Sequence, residues 1–472
     1  MNKVVRHSVN KAVDGLQQRL TDYACALNYN GLSPEAIHAT KVRVIDTLGA
    51  LIGGFFGESC RTARNLAARM PDANGATVIG TRLKTTPDVA AFVNATTARY
   101  AELNDVYHWP GSIECHPSDV LTPLLAIAEH AQVNGHDFIT SGVLAYEVCL
   151  RIADVFPNRD FDYTSFQCLA IAMGASKLLG LSPNQLSQCI AMAIVPNNVL
   201  RQVRTGHLSE WKSVAAGQTG RAGIFAALLA REGMEGPHLP FEGTAGWCNH
   251  VARKQISLSI MGGDGTPFKV QDTLIKPRAS CATTISSILA AEKVAPALKN
   301  IKDVKQVTVE VYEFAKERMA TGEHHWNPDS RETADHSIPY VTAAALMYGR
   351  VTPRQFNDAH LWNPELRALI QKVEVVTNDE FTKVYERRSL LPVVHLTRVT
   401  VVTHSGERFV GESGGDKGDL SESKSDAQIE EKFRSLTEDF LGAKRVNAIL
   451  DRLWNLEDLE NVALVPPAFV LG

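Results

Sequence analysis

The chain has 472 residues, of which 44% are hydrophobic and 21% charged, and its formal net charge is −4. This length can bury a large core and usually forms two domains, and the composition is that of a globular enzyme. The slightly acidic balance argues against a nucleic-acid partner. The first residues lack an apolar signal region, and the longest apolar run, residues 44–56, is too short to span a bilayer. We therefore expect a cytoplasmic protein with no membrane partner.

Residues 1–272 show one helical pattern after another. Ser33, followed by proline, is typical of a helix start, and Ser182 begins a capping box before a later helix. Gly180 has the position of a glycine that ends a helix. The many Ala and Gly residues in 214–230 indicate a helix that packs closely against its neighbours.

The pattern changes near residue 273, where alternating apolar residues replace the helical spacing. The sequence predicts two strands, a hairpin and two helices: strands at 307–311 and 372–376, a hairpin at 393–410, and helices at 283–292 and 338–347.

A glycine-rich junction at 414–418 precedes a second helical region at 425–462. In the simplest architecture this tail returns to the first domain. The sequence therefore predicts a mainly α protein, with a large all-helical domain (residues 1–272 and 413–472) and an inserted smaller α+β domain (residues 273–412).

Two acids and a histidine lie in one short segment before a predicted helix. Glu102 and Asp105 precede His116, and either Ser118 or Asp119 is placed to cap the helix that follows. A histidine at a helix N-terminus, next to free amide donors, suits an anionic substrate.

Cations are concentrated in two other segments. Arg201, Arg204 and Lys212 fall within twelve residues, which fits either an anion site or a solvated basic face. Lys276 and Arg278 lie at the predicted domain boundary, where clefts often bind ligands. They could clamp carboxylates, with the arginine in a bidentate fork, or be ordinary hinge charges.

Two further segments carry polar groups with weaker implications. Asp162 and Tyr163 offer an acid and a phenol, but turn chemistry explains them equally well. His324, His325 and His336 raise the question of a metal, yet adjacent histidines point in different directions and no H-x-x-x-H pattern occurs. The eight cysteines contain no C-x-x-C pair, which argues against a zinc ribbon and against a ferredoxin-type iron–sulfur cluster.

Together these residues suit a di- or tricarboxylate substrate. A base can remove a proton beside a carboxylate, while Lys and Arg side chains stabilise the developing negative charge. Loss of water, loss of carbon dioxide and reprotonation on the other face would all follow from one such intermediate, and the residues do not choose between them.

Several short motifs occur in an order that resembles the MmgE/PrpD family over nearly the whole chain. They are residues 44–49, 102–105 with 116–119, 175–181, 212–217, 275–277, and 327–328 with 335–337. The resemblance implies a helical domain with a smaller α+β lid, a homodimer, and an interdomain active site that needs no metal or organic cofactor.

The resemblance and the charge pattern together suggest roles for residues. We expect catalytic roles for His116, Asp105, Glu102, Tyr163, Lys212 and Lys276, and substrate binding by Arg201, Arg204, Arg278, Ser118 and His336. This sequence departs from the family's usual pattern at three of its positions: Glu102 replaces aspartate, Val106 replaces threonine, and Tyr163 stands where relatives often have histidine. A phenol is a much weaker base than imidazole at neutral pH.

We therefore expect a cofactor-independent lyase that acts on a small polycarboxylate, similar to 2-methylcitrate dehydratase of propionate metabolism. The alternatives are a cis-aconitate-type decarboxylase and an iminodisuccinate-type epimerase. A non-catalytic carboxylate-binding protein on the same scaffold is a hypothesis of a different class.

Overall fold

Helices make up most of the computed structural model, which describes residues 12–109, 111–387, 392–415 and 418–471. The prediction of a mainly α protein is confirmed. The α-helices before residue 232 are α1 (Gly15–Ala26), α2 (Pro34–Gly54), α3 (Glu58–Ala67), α4 (Pro87–Tyr100), α5 (Leu121–Ala131), α6 (Gly135–Ala153), α7 (Thr164–Leu178), α8 (Pro183–Ile194) and α9 (Trp211–Arg231).

Three helix boundaries follow the signals in the sequence. The Ser33 side chain accepts a hydrogen bond from the N–H of Ala36 at the start of α2. Ser182 and Gln185 form a capping box at the start of α8. Gly180 follows α7 with a φ of +63°, a backbone conformation that glycine adopts without steric cost.

The first part of the chain is not entirely helical. Strands β1 (Pro71–Thr77) and β2 (Lys84–Thr85) form an antiparallel pair. The expectation of helices up to residue 272 is also wrong after α9, because glycines and prolines interrupt residues 232–272. This irregular segment is held by the buried carboxylate of Glu147, which accepts hydrogen bonds from the N–H groups of Gly262 and Lys269.

A four-stranded sheet dominates the second part, with its strands in the order β4-β3-β5-β6. Strand β3 pairs parallel to β4 and antiparallel to β5, and β5 with β6 forms the predicted hairpin. The elements are α10 (Ala282–Val294), β3 (Val304–Val311), α11 (Glu313–Met319), α12 (Glu323–Trp326), α13 (Arg331–Ala334), α14 (Ile338–Tyr348), α15 (Asp358–Leu361), α16 (Pro364–Ile370), β4 (Val373–Thr377), α17 (Asp379–Tyr385), β5 (Thr397–Thr403) and β6 (Arg408–Ser413).

The sheet has its own apolar core. Alternate residues of β3 and β5, among them Val307, Val309, Val399 and Val401, are fully buried. Helices α10 and α14 pack against the sheet and against each other. The period-two pattern of the sequence therefore marks the face that these helices cover.

The tail of the chain packs against the first helices. Helices α18 (Asp426–Leu441) and α19 (Ala443–Trp454) both contact α2. Lys432 of α18 lies 2.5 Å from the buried Asp46 of α2 and donates a hydrogen bond to the carbonyl oxygen of Leu103. The tail thus supports the segment that carries Glu102.

Across the described ranges, no helix is both long enough and apolar enough to cross a bilayer.

Candidate active site

Glu102 is the centre of a buried group of charges. It follows α4 directly and is only 1% exposed. Its φ of +53° is unusual for a residue with a side chain, and such a conformation costs about 1–2 kcal/mol. The contacts of its carboxylate must offset that cost.

Three cations converge on the Glu102 carboxylate. Arg99 donates to both oxygens, at 2.7 and 3.1 Å. Lys212 Nζ lies 3.0 Å from Oε2, and Lys276 Nζ lies 2.8 Å from Oε1. Burial alone would raise the pKa of Glu102, but the three cations outweigh it and hold that pKa well below 4.5. The carboxylate is therefore ionised.

His116 lies beside this group as a neutral imidazole. Its Nδ1 is 2.8 Å from the backbone oxygen of Asp105, and a carbonyl oxygen only accepts, so Nδ1 carries the proton. Nε2, which then has a free lone pair, lies 3.7 Å from Glu102 Oε1. Burial, with the charges of Arg99 and Lys276, holds the pKa of His116 well below 6.5. The ring is thus prepared to accept a proton.

Asp105 holds the turn before α5 rather than contacting the His116 ring with its side chain. Its carboxylate accepts hydrogen bonds from the Ser118 N–H and the Tyr146 hydroxyl, each at 3.0 Å. Residues Pro117–Val120 form a 3₁₀ turn, and neither the Ser118 nor the Asp119 side chain caps a helix. The expected cap is wrong because Ser118 and Asp119 lie inside the 3₁₀ turn instead of before the helix, and the Asp119 carboxylate accepts from the Tyr163 hydroxyl.

Tyr163 connects Asp119 to Arg204. Its hydroxyl donates to Asp119 Oδ2 at 3.0 Å and accepts from Arg204 Nη2 at 2.8 Å. The Arg204 guanidinium also lies over the Tyr163 ring, 4.6 Å from its centroid, and donates to Asp162 at 2.7 Å. The ring centroids of Tyr163 and His116 are 5.9 Å apart. Tyr163, Asp119 and Arg204 therefore adjoin the Glu102 group through His116.

Asp335 and His336 bring the second part of the chain into the site. Lys212 Nζ donates to Asp335 Oδ1 at 2.7 Å and lies 3.1 Å from His336 Nδ1. Burial and the charge of Lys212 would lower the pKa of His336, but Cys281 and the Asp335 carboxylate, which lies 2.5 Å from Nδ1, raise that pKa to about 9. His336 is therefore protonated at neutral pH and adds to the positive charge around Lys212.

Two predicted substrate-binding arginines lie apart from the Glu102 group. Arg278 forms a bidentate ion pair with Glu292, at 2.7 and 2.6 Å. It lines a cleft of about 1020 Å³ that also borders Lys276. Arg201 is held through its backbone: its N–H donates to the carbonyl oxygen of Asp160, and its carbonyl oxygen accepts from the Thr205 hydroxyl.

Three members of the site were not among the predicted site residues. Arg99 lies in the last turn of α4, three residues before Glu102, which follows the helix with a left-handed backbone conformation. Asp119 was considered only as a cap, and Asp335 only as part of a family motif. Ser118, by contrast, was predicted to bind substrate, and its buried hydroxyl has no hydrogen-bond partner among the described residues.

The histidines at 324, 325 and 336 do not form a ligand set. Within the part of the chain that the structure describes, no group of three or more His, Cys, Asp or Glu side chains is arranged to hold a metal ion.

Comparison with known proteins gives matches over most of the chain. Residues 18–258 match the MmgE/PrpD N-terminal domain and residues 279–456 match the C-terminal domain. Human cis-aconitate decarboxylase is 24% identical over 463 residues, covering 93% of this chain and 91% of that protein. The mitochondrial 2-methylcitrate dehydratase of Yarrowia lipolytica is 26% identical over 407 residues (82% and 76%), and the 2-methylcitrate dehydratase of Escherichia coli K12 is 24% identical over 404 residues (80% and 81%). Because the two domain matches together cover most of its length, this chain belongs to the MmgE/PrpD family.

Proposed function

We propose that this protein is a cofactor-independent lyase that acts on a small polycarboxylate in the manner of 2-methylcitrate dehydratase. The observation that carries the proposal is the convergence of Arg99, Lys212 and Lys276 on one buried carboxylate beside the neutral His116. Relatives that carry the name 2-methylcitrate dehydratase support this choice.

In this mechanism His116 Nε2 removes a proton from the carbon beside a substrate carboxylate. Lys212, Lys276 and Arg99 stabilise the negative charge that then develops on the substrate. Before substrate binds, Glu102 neutralises part of that positive charge, so the cations are not buried without partners. The carbanion-like intermediate then expels hydroxide, and a proton donor completes the loss of water.

Decarboxylation of a cis-aconitate-like acid is the second candidate. The observation that favours it is the match with human cis-aconitate decarboxylase, which spans 93% of this chain, compared with 82% and 80% for the two dehydratases above. Loss of carbon dioxide gives a similar carbanion, which the same cations would stabilise.

The α+β part serves in this proposal as a lid. Glu102, Lys212 and Lys276 are 1%, 2% and 0% exposed, so substrate cannot reach them without movement. Asp335 and His336 contact Lys212 from the second part, and separating the two parts would uncover this group. The homodimer and the cytoplasmic location stay predictions from the sequence.

A substrate panel tests the activity. The protein is incubated separately with 2-methylcitrate, citrate, cis-aconitate and iminodisuccinate, and we expect turnover of 2-methylcitrate. Dehydration creates a conjugated alkene with new ultraviolet absorbance, decarboxylation releases carbon dioxide, and epimerisation changes only optical rotation. Thermal stabilisation by these acids without turnover of any of them would instead identify a carboxylate-binding protein.

The role of His116 gives a prediction at one residue. His116→Ala should lower turnover by about 10²–10⁴-fold while the fold is retained, because the neighbouring cations cannot remove a proton. Steady-state kinetics and circular dichroism on the same preparation measure the two effects. His404→Ala, at an exposed turn between β5 and β6, is the matched control and should retain full turnover. Near-normal turnover of His116→Ala would remove this histidine from the mechanism.

A further inference from the structure

Tyr163 is held in the site by one acid and one cation. Its hydroxyl donates to Asp119 Oδ2 at 3.0 Å, and Arg204 Nη2 donates to the hydroxyl oxygen at 2.8 Å. Both Tyr163 and Asp119 are at most 2% exposed. The second carboxylate oxygen of Asp119, Oδ1, is buried and has no hydrogen-bond partner among the described residues. Nothing in the mechanism above uses this carboxyl group.

The phenol cannot exchange protons by itself at neutral pH. Burial raises the pKa of Tyr163 well above 10, so a free phenolate is not accessible. A lyase nevertheless needs a group that gives a proton to the leaving hydroxyl or to the carbanion, and His116 is neutral and placed as the base. A neighbouring group must therefore supply the proton that Tyr163 passes on.

We propose that Asp119 and Tyr163 act as one proton donor, in which Asp119 holds the proton and Tyr163 delivers it to the intermediate. The inference rests on the proposed lyase function and deepens it. It makes Asp119 a catalytic partner that acts through Tyr163.

The transfer leaves the phenol neutral before and after. In the protonated state, Asp119 Oδ2–H donates to the phenol oxygen, and the phenol O–H points to the substrate. The Asp119 O–H bond breaks as a new O–H bond forms on Tyr163, and the original phenol proton moves to the leaving hydroxyl or to carbon. Asp119 ends as a carboxylate and takes up a proton from solvent, while His116 releases to solvent the proton that it removed from the substrate. The phenol oxygen has two lone pairs, so Arg204 and Asp119 can both donate to it.

The surroundings of Asp119 suit this storage role. Burial raises the pKa of Asp119 to about 6, close to that of an ordinary imidazole. Arg99 from α4, Arg204 from the turn before α9 and the Tyr163 hydroxyl at the start of α7 oppose that rise, and the carboxylate of Asp105 adds to it. The pair of Asp119 and Tyr163 thus titrates where a single histidine would.

Other groups of the site titrate elsewhere. The pKa of Glu102 lies well below 4.5 and that of His116 well below 6.5. Asp335 has a lowered pKa, whereas that of His336 is about 9. A decline in activity near pH 6 that is lost in Asp119→Asn would therefore report on Asp119.

The pH profile of kcat/KM tests the donor. Only protonated Asp119 can supply the proton that Tyr163 delivers, so kcat/KM of the wild type should fall about tenfold per pH unit above pH 6. Asp119→Asn and Tyr163→Phe should have lower kcat and no such decline. Arg204→Gln should move the decline to higher pH, because Arg204 lowers the pKa of Asp119. A purely structural role of Arg204 would reduce the rate without moving the decline.

Arg201→Gln is the matched control for Arg204, because it removes an arginine of the same turn that does not contact Tyr163. Arg201→Gln can change the rate by any amount, but its kcat/KM should decline at the same pH as that of the wild type. Turnover with a flat profile between pH 5 and 8 would overturn the Asp119–Tyr163 donor and leave the lyase function standing. No turnover of any acid in the panel would overturn the lyase function and the delivery step with it.

Thermal unfolding gives a readout that does not depend on activity. The pKa of Asp119 is raised on folding, so wild-type stability should fall relative to Asp119→Asn as pH rises from about 4 to 6, and stay constant above. The exposed Asp439→Asn should show no such trend. If Asp119→Asn does not fold, Tyr163→Phe is compared with the wild type instead. The Tyr163 hydroxyl lowers the pKa of Asp119, so without it the decrease in stability should continue to higher pH. Parallel curves for wild type and variant would overturn the assignment to Asp119.

Discussion

The charge of Glu102 determines the state of its three cationic neighbours. Arg99, Lys212 and Lys276 all have a nitrogen within 3.1 Å of its carboxylate, and all four residues are at most 2% exposed. Without that carboxylate, three like charges would lie together out of water, and Lys212 alone would keep a close carboxylate partner, Asp335 at 2.7 Å.

Removing the charge of Glu102 should therefore reduce stability. Glu102→Gln is expected to lower the free energy of unfolding by about 3–5 kcal/mol, because it removes the one negative charge that the three buried cations share. Urea unfolding measures the change. The matched control is Glu58→Gln, which breaks an Arg–Glu pair of the same i,i+3 spacing that is 66% and 72% exposed and should cost less than about 1 kcal/mol. Equal losses for the two variants would contradict the role given to Glu102.

Single residues were only partly predictable. His116, Lys212 and Lys276 lie together around Glu102, as expected. They could be predicted because each belongs to a distinctive local motif. Arg278 does not join them, since Glu292 on α10 captures its guanidinium. Arg99 was missed because nothing in the helical pattern of α4 indicates which of its side chains faces a buried carboxylate.

At the level of elements, helix α9 determines where Lys212 lies. Three glycines let α9 approach its neighbours closely: a β-carbon at Gly217 would meet Thr96 and the carbonyl oxygen of Phe92, one at Gly220 would meet Pro123, and one at Gly223 would meet Ile171. The small-residue pattern at 214–230 predicted this close packing, and the contacts of α9 with α4 and α7 confirm it. Lys212, in the first turn of α9, is thereby brought to the site.

Enlarging one of these glycines tests the packing. Gly217→Ala should destabilise the protein by about 1–3 kcal/mol, because the new methyl group would lie 2.5 Å from the carbonyl oxygen of Phe92 and the backbones must separate. It should also lower kcat/KM, as Lys212 moves with the helix. Gln218→Ala, exposed on the next position of α9, is the control and should change neither quantity appreciably. An unchanged unfolding midpoint for Gly217→Ala would show that the interface is looser than described.

At the scale of the whole molecule, helix α18 near the end of the chain packs against α2 and against the loop that carries Glu102. Lys432 of α18 is the ion-pair partner of the buried Asp46 and donates to the backbone of Leu103, next to Glu102. Burial raises the pKa of Asp46, and Lys432 opposes that rise. The tail therefore stabilises a charge in α2 and the loop that carries the site.

Lys432→Met should destabilise the protein by about 3 kcal/mol at pH 7.5, because Asp46 loses its cation. Without Lys432 the pKa of Asp46 rises further, so Asp46 becomes neutral more readily and the loss should be smaller at pH 5. Urea unfolding at the two pH values measures both effects. Arg354→Met, which breaks an exposed pair with Asp439 of the same helix α18, should have little effect at either pH. A loss independent of pH would point to packing of the lysine stem instead.

The sequence by itself determined the mainly α character, the strand segments of the second part and several helix ends. These features depend on backbone periodicity and on capping groups a few residues apart, so a local pattern contains them. The tertiary structure decided which charges meet. Lys212 and Asp335 are 123 residues apart, Lys276 and Glu102 are 174 apart, and Tyr163 reaches Asp119 across 44. Buried charges are stable only when they are paired, and these pairs form only once the helices and the sheet have packed.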